Sequence, residues 1–176
     1  RTLRMSRATH AVWSGAAAAQ EFVLGEAKAR PGLRILCYHS IGPARPHDPY
    51  GLVVSPAMFR RQMELVRDER FGRPVSLGAA RLDAAPEIAV TFDDGFADTL
   101  TTATPIFAEL GIPFTACVTA AYIRAGASPH LRVEGLRELA KAPGAEIGAH
   151  GSRHLRMADC ADAELAHELS ASKEFL

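Results

Sequence analysis

The 176-residue chain is 48% hydrophobic with few aromatics, a composition that supports one buried core and excludes disordered and collagen-like classes. Lys plus Arg equals Asp plus Glu at 20 each, so no net field draws the chain to nucleic acid or to an anionic membrane. Cys37, Cys117 and Cys160 are odd in number and widely spaced, which suggests neither a disulfide framework nor a CxxC metal site; Cys37 and Cys117 read as buried strand residues.

Residues 1–31 read as a helical N-terminal extension and residues 32–176 as the domain proper. Arg1, Arg4 and Arg7 precede Ala11 to Ala19 in an order superficially like a signal peptide. His10, Ser14, Gly15 and Gln20 interrupt that run, which is too short and polar to span a bilayer. An Ala-rich helix is expected instead, with Val12, Ala16, Ala19 and Val23 on one face and a break at Arg30-Pro31-Gly32. With no convincing export signal, cell envelope and cytoplasm both stay open as locations, and free cysteines are compatible with the latter.

Leu33 to Tyr38 is a strand candidate that ends in Tyr38-His39-Ser40. The Pro-rich stretch from Gly42 to Gly51 reads as a loop, and its His47 and Asp48 are candidates for substrate contact. Ser55-Pro56 starts a helix with Phe59, Met63 and Val66 at helical spacing, running to about Arg70. A short strand is expected at Pro74 to Leu77, and a buried one at Ile88 to Phe92. Asp98 to Leu110 is helical, with Pro105 either kinking it or opening a second piece at a Thr104 cap, and Gly111 ending it. Phe114 to Thr119 is another strand, Val133 to Lys141 a helix and Ala145 to Ala149 a strand. The last helix is expected behind an Asp162 cap, with Leu165, Leu169, Ser172 and Leu176 on one face. Strands alternating with helices predict a parallel α/β sheet.

Two stretches carry chemistry. Asp93 and Asp94 arrive together at the end of the strand in Thr91-Phe92-Asp93-Asp94-Gly95, where adjacent carboxylates repel unless a cation or a proton in transit stabilises them. An acidic turn is the plainer alternative. His150 and His154 follow the strand at 145–149, and their spacing of four lets both rings meet one ion if the backbone between them turns like a helix. Both stretches follow parallel strands and so belong on one rim of the sheet. Two imidazoles and one carboxylate make a metal site with positions left for water, while the other carboxylate is free to take a proton. Breaking an amide also needs an acid for the departing nitrogen. His39 is the best-placed candidate, against the alternative of a histidine packed beside Tyr38. His10, His130 and His167 read as solvated surface residues; Arg153, between the two histidines, is a candidate to pair with an acid, with surface solvation the plainer reading.

These residues resemble the polysaccharide deacetylase family, carbohydrate esterase family 4 or NodB homology domain. The resemblance rests on Leu36-Cys37-Tyr38-His39, Phe59 to Leu65 before Val75-Ser76-Leu77, Thr91 to Gly95, Pro105 to Thr115, and Glu146-Ile147-Gly148-Ala149-His150 to His154. It implies a distorted (β/α)7 barrel, a divalent metal (zinc, with cobalt or iron as alternatives), and removal of N-acetyl or sometimes O-acetyl groups from polysaccharides. It implies Asp94, His150 and His154 as metal ligands and Asp93 as general base. Tyr38-His39 and Phe96 look most like the exopolysaccharide and poly-N-acetylglucosamine deacetylase branch, in whose permuted members the acid histidine comes from such an N-terminal strand, here His39. The family's later Arg/Pro-containing, Trp-containing and Leu-x-His motifs have no counterpart before Leu176, so the resemblance implies a barrel incomplete at the C-terminus. The competing readings are an amidase of a small non-sugar amide, a non-haem Fe(II) oxygenase built on two histidines and a carboxylate, and a catalytically incomplete fragment that only binds metal or glycan.

Overall fold

The computed structural model describes residues 31–43, 48–69, 71–82 and 85–176. The expected N-terminal helix, with His10, and the candidate His47 lie outside the described residues.

The run Glu87–Phe92 forms the central strand, and all six of its residues are buried, as a parallel strand covered on both faces requires. Numbered in chain order it is β5. The first strand, β1 (Leu33–Tyr38), pairs with it along its whole length, from Leu33 opposite Glu87 to Tyr38 opposite Phe92. Two strands share its other edge. β4 (Arg73–Val75) pairs with Glu87 to Ala89, and β6 (Phe114–Val118) takes over at Thr91 and Phe92. β7 (Ala145–Ala149) then pairs with β6, from Phe114 opposite Ala145 to Val118 opposite Ala149. A separate pair joins β2 (Ser40–Ile41) to β3 (Val53–Val54). Every pairing is parallel, so the strands deliver their carboxyl ends to one rim, where α/β sheets build their sites. The order β1-β5-β6-β7 leaves β1 and β7 outermost, and the described strands do not close into a barrel.

Alternation along β5 divides two environments. Ile88, Val90 and Phe92 join the hydrophobic core under the helices. Ala89 and Thr91 face the other way, as their odd positions require, and lead to Asp93. Helix α1 (Pro56–Arg67) starts as its sequence predicts, with Ser55 Oγ accepting from the Met58 N–H at 3.3 Å, and it buries Phe59, Met63 and Val66. Helix α2 (Thr104–Leu110) is entered through a π-type turn at Thr99–Ala103 and stops at Gly111, whose φ of 67° lies in the left-handed region. Thr104 does not cap it. Its hydroxyl donates to the Thr99 carbonyl at 2.8 Å, and the wide turn accommodates Pro105, which has no N–H to give.

The rings of Phe59, Phe92, Phe107 and Phe114 form the centre of the core. Phe107 stacks on Phe114 with centroids 4.3 Å apart and meets Phe59 and Phe92 edge-on at 5.4 and 5.9 Å. Removing the fully buried Phe107 ring should therefore be costly. Phe107→Ala is expected to lower stability by about 3–5 kcal/mol in denaturant unfolding, and a loss below about 1 kcal/mol would contradict this packing.

The remaining helices are α3 (Ala120–Ala125), α4 (Val133–Leu139) and α5 (Asp162–Phe175). Among the described residues no helix is long and apolar enough to cross a membrane. The last helix departs from the expected face in part: Ser172 is buried as expected, but Leu169 and Leu176 are 53% and 51% exposed and Glu168 is buried instead. Its cap position is Ala161, without a side-chain bond, and Asp162 is already helical. A carboxylate that satisfies backbone donors of the adjoining loop outweighs burial of one more leucine. The cysteines also differ from expectation. Cys37 is exposed and Cys117 half-buried, because both lie on the odd, polar side of the sheet rather than under the helices.

Candidate metal centre

At the end of β5 the backbone continues for one residue and then reverses. The Asp93 N–H donates to the Tyr38 carbonyl at 2.9 Å, prolonging the ladder with β1, and the Gly95 N–H closes back on the Asp93 carbonyl at 2.9 Å. Between them Asp94 has a φ of 70°, the strained hand of the γ-turn, which the surrounding structure must hold in place. Gly95 follows at φ 80°, and a Cβ there would lie 2.9 Å from Ile123 Cδ1, so a side chain is excluded by both strain and space. The reversal sends two consecutive carboxylates to different surroundings.

The histidines are held by a loop of a different kind from the helical turn their spacing suggests. The His150 N–H makes the last rung of the β6 ladder to the Val118 carbonyl at 2.9 Å. Gly151 then turns at φ 76° and His154 at φ 62°, so convergence comes from two left-handed residues. The start of α3 receives this loop: Thr119 Oγ1 donates to the His150 carbonyl at 3.1 Å, and the Ala120 and Ala121 N–H groups donate to the Gly151 and Ser152 carbonyls at 3.3 and 2.8 Å. The orphan donors of a helix N-terminus thereby fix the carbonyl side of the loop.

Asp94 Oδ1 lies 3.0 Å from His154 Nε2 and 3.5 Å from His150 Nε2, and one ligand atom from each residue lies within 4.8 Å of the others. Asp94 is only 9% exposed, and its Oδ1 is buried without a hydrogen bond despite those two neighbours. A buried carboxylate oxygen with two ring nitrogens turned on it and no bond to either is what a cation between them would explain. Two nitrogens and one oxygen suit zinc and related divalent ions, and three protein ligands leave coordination positions open for water and substrate. The residues present fit such an ion.

Asp93 sits beside this cluster, half-buried, and its Oδ2 accepts the Cys37 S–H at 3.2 Å. Desolvation by the surrounding sheet, reinforced by the Asp93 carboxylate, pushes the thiol up to about 11, so Cys37 is a protonated donor at neutral pH. His39 lies half-buried at the end of β1, next to the residue whose carbonyl holds the Asp93 N–H, and thus on the same rim. Among the described residues no hydrogen bond or ion pair joins its ring to Asp93, Asp94, His150 or His154.

Several neighbours escaped the sequence reading. Tyr122, in the first turn of α3, stacks on His130 at 4.4 Å and lies 5.6 Å from the His154 ring. Burial, with a smaller push from the Asp94 charge, raises its phenol above the usual range. His130 is not a solvated surface residue: it is half-buried between Tyr122 and Phe96, whose ring centroid is 4.8 Å away. Arg153 likewise is ion-paired, to Glu164 at 2.9 Å and to Glu168. Nothing in their spacing marks these residues. The only available signal is that Tyr122 closely follows a strand end on the rim that also carries Asp93 and His150.

The sequence matches the polysaccharide deacetylase family over residues 82–176, more than half of the chain and the part that holds both motifs. The chain belongs to the polysaccharide deacetylase family. Comparison with curated proteins gives no match. Among solved structures, this deacetylase domain is similar to the deacetylase PplD of Streptococcus pyogenes, solved in complex with acetate, at 24% identity and a TM-score of 0.70, over 84% of this chain and 69% of that one. It is also similar to a polysaccharide deacetylase from Bacillus cereus, at 23% identity and a TM-score of 0.67, over 82% of this chain and 46% of that one. IcaB from Ammonifex degensii gives 20% identity and a TM-score of 0.68, over 84% and 69% of the two chains. The deacetylase domain thus spans between about half and about two thirds of these chains' lengths, and at these identities the likeness is one of fold.

Proposed function

We propose that this domain hydrolyses acetyl groups from N-acetylated amino sugars of a polysaccharide, with exopolysaccharide of the poly-N-acetylglucosamine type as the substrate class. The observation that carries the reading is the buried, unbonded Asp94 Oδ1 facing His150 and His154, beside a second carboxylate that stays out of the cluster. In this reading Asp94, His150 and His154 hold one divalent ion, with zinc the expected metal and cobalt or iron able to replace it. Bound there, the ion supplies a Lewis acid for the acetyl carbonyl and lowers the pKa of water from 15.7 towards about 7.

The chain's own residues do the rest. Asp93 accepts the proton of the attacking water, and Cys37 orients its carboxylate by donating to Oδ2. His39 delivers a proton to the sugar nitrogen as the carbon–nitrogen bond breaks, so that acetate and a free amine leave. The reversal at Asp94 supports this division of labour, since Asp94 faces the histidines while Asp93 accepts the Cys37 thiol.

Incubating the zinc-loaded chain with N-acetylglucosamine oligomers is expected to release acetate and expose one amine per acetate. Stoichiometric zinc with no acetate from any oligomer would overturn this substrate assignment, and release without bound metal would overturn the mechanism.

A further inference from the structure

The side of the histidine loop that faces away from α3 is held by one residue. Glu168 of α5 is 0% exposed, yet it is an acid in a helix whose leucines are partly in solvent. Its Oε2 accepts the backbone N–H groups of Ser152 at 3.0 Å and Arg153 at 2.8 Å, and its Oε1 accepts Arg153 Nε at 2.5 Å. The other arm of the same guanidinium reaches Glu164 at 2.9 Å. The two amides lie between His150 and His154, in the stretch whose carbonyls are bound by Thr119, Ala120 and Ala121. The loop is therefore gripped through its carbonyls by one helix and through its N–H groups by another.

We propose that Glu168 is a positioning residue for the metal ligands His150 and His154. The inference rests on reading Asp94, His150 and His154 as a metal centre. Left-handed backbone is easy for Gly151 but unfavourable for the non-glycine His154, and it persists there because the surroundings over-determine it. Glu168 meets a buried backbone donor at Ser152 and a part-buried one at Arg153 at once, and only an ionised carboxylate offers enough acceptor sites for them together with the guanidinium. Without it those donors are left unsatisfied, the loop relaxes towards a less strained path, and His154 Nε2 leaves its place 3.0 Å from Asp94 Oδ1. The same requirement explains why α5 turns Glu168 inward and Leu169 outward.

The test is metal binding by the full chain, read by zinc competition titration and by the visible absorption of the cobalt-loaded protein. Glu168→Gln keeps the volume but leaves one acceptor oxygen for three donors: with that oxygen towards the loop its NH2 meets the Arg153 guanidinium, and with it towards Arg153 its NH2 meets the two loop amides. It is expected to weaken zinc binding by about 10–100-fold and to alter the cobalt spectrum, with far-ultraviolet circular dichroism unchanged. Glu168→Asp keeps the charge but draws the carboxylate back by one methylene, and it should show the same two changes; it carries the test if Glu168→Gln fails to fold. Glu174→Gln, exposed on the same helix, is expected to leave both readings as they are. Parental affinity and an unaltered cobalt spectrum in the Glu168 variants would overturn the positioning role. Absence of metal from the parent would instead overturn the metal centre itself, which separates the two failures.

Discussion

Asp94→Ala is expected to abolish stoichiometric metal binding, and with it all acetate release, while leaving the fold in place. In the proposed centre Asp94 is the single anionic ligand, and the two imidazoles that remain would have to hold a divalent cation without charge compensation. The fold should survive because the deleted atoms make no hydrogen bond through Oδ1 and because removing one of two adjacent carboxylates relieves their repulsion. Part of that gain is offset, since alanine tolerates the φ of 70° at this position less well than aspartate. Metal content after dialysis, with the thermal transition as a fold control, decides the matter. One equivalent of zinc retained by the variant would sink the assignment of Asp94 as a ligand.

The second large effect separates chemistry from binding. Asp93→Asn is expected to retain metal and substrate affinity but to lose about 10²–10⁴-fold in kcat, the range for removal of a general base. The substitution is isosteric, and the Cys37 S–H can still donate to the amide oxygen, so the side chain should keep its place. It can no longer accept a proton from water. A fall confined to kcat, with KM and metal content unchanged, would distinguish a base from a ligand. If kcat stays within about tenfold of the parent, proton transfer must be assigned elsewhere on the rim, with His39 the next residue to replace.

Much of this architecture was legible from local pattern. A mainly apolar run, Ile88 to Phe92, closed by Asp93, Asp94 and Gly95 reads as a buried parallel strand that delivers polar groups to its carboxyl end, and β5 is that strand. Ser55-Pro56 and Gly111 marked helix boundaries because capping is a matter of adjacent residues. The histidine pair stood out for the same reason, since both residues lie within one short stretch after a strand.

Other features depend on partners distant in sequence. The spacing of Leu165, Leu169 and Leu176 predicts an apolar face, yet α5 turns Glu168 towards donors at Ser152 and Arg153 that no periodicity announces. Cys37 looks like a core residue until β1 is laid against β5 and its odd face is seen to carry Asp93. His130 and Tyr122 come together only when Phe96 pairs with His130 across an isolated antiparallel bridge.

By itself the sequence determined the order and type of most elements, the rim on which polar residues gather and the chemical types present there, because these follow from short-range sterics and hydrophobic periodicity. The tertiary structure decided how Asp94 is turned to the histidines, how the loop between His150 and His154 is bent, and which side of the last helix is buried. Those outcomes depend on left-handed backbone at the non-glycine residues Asp94 and His154 and on backbone donors finding acceptors across the chain. Such local strain is stable only when packing and hydrogen bonds from several elements hold it at once.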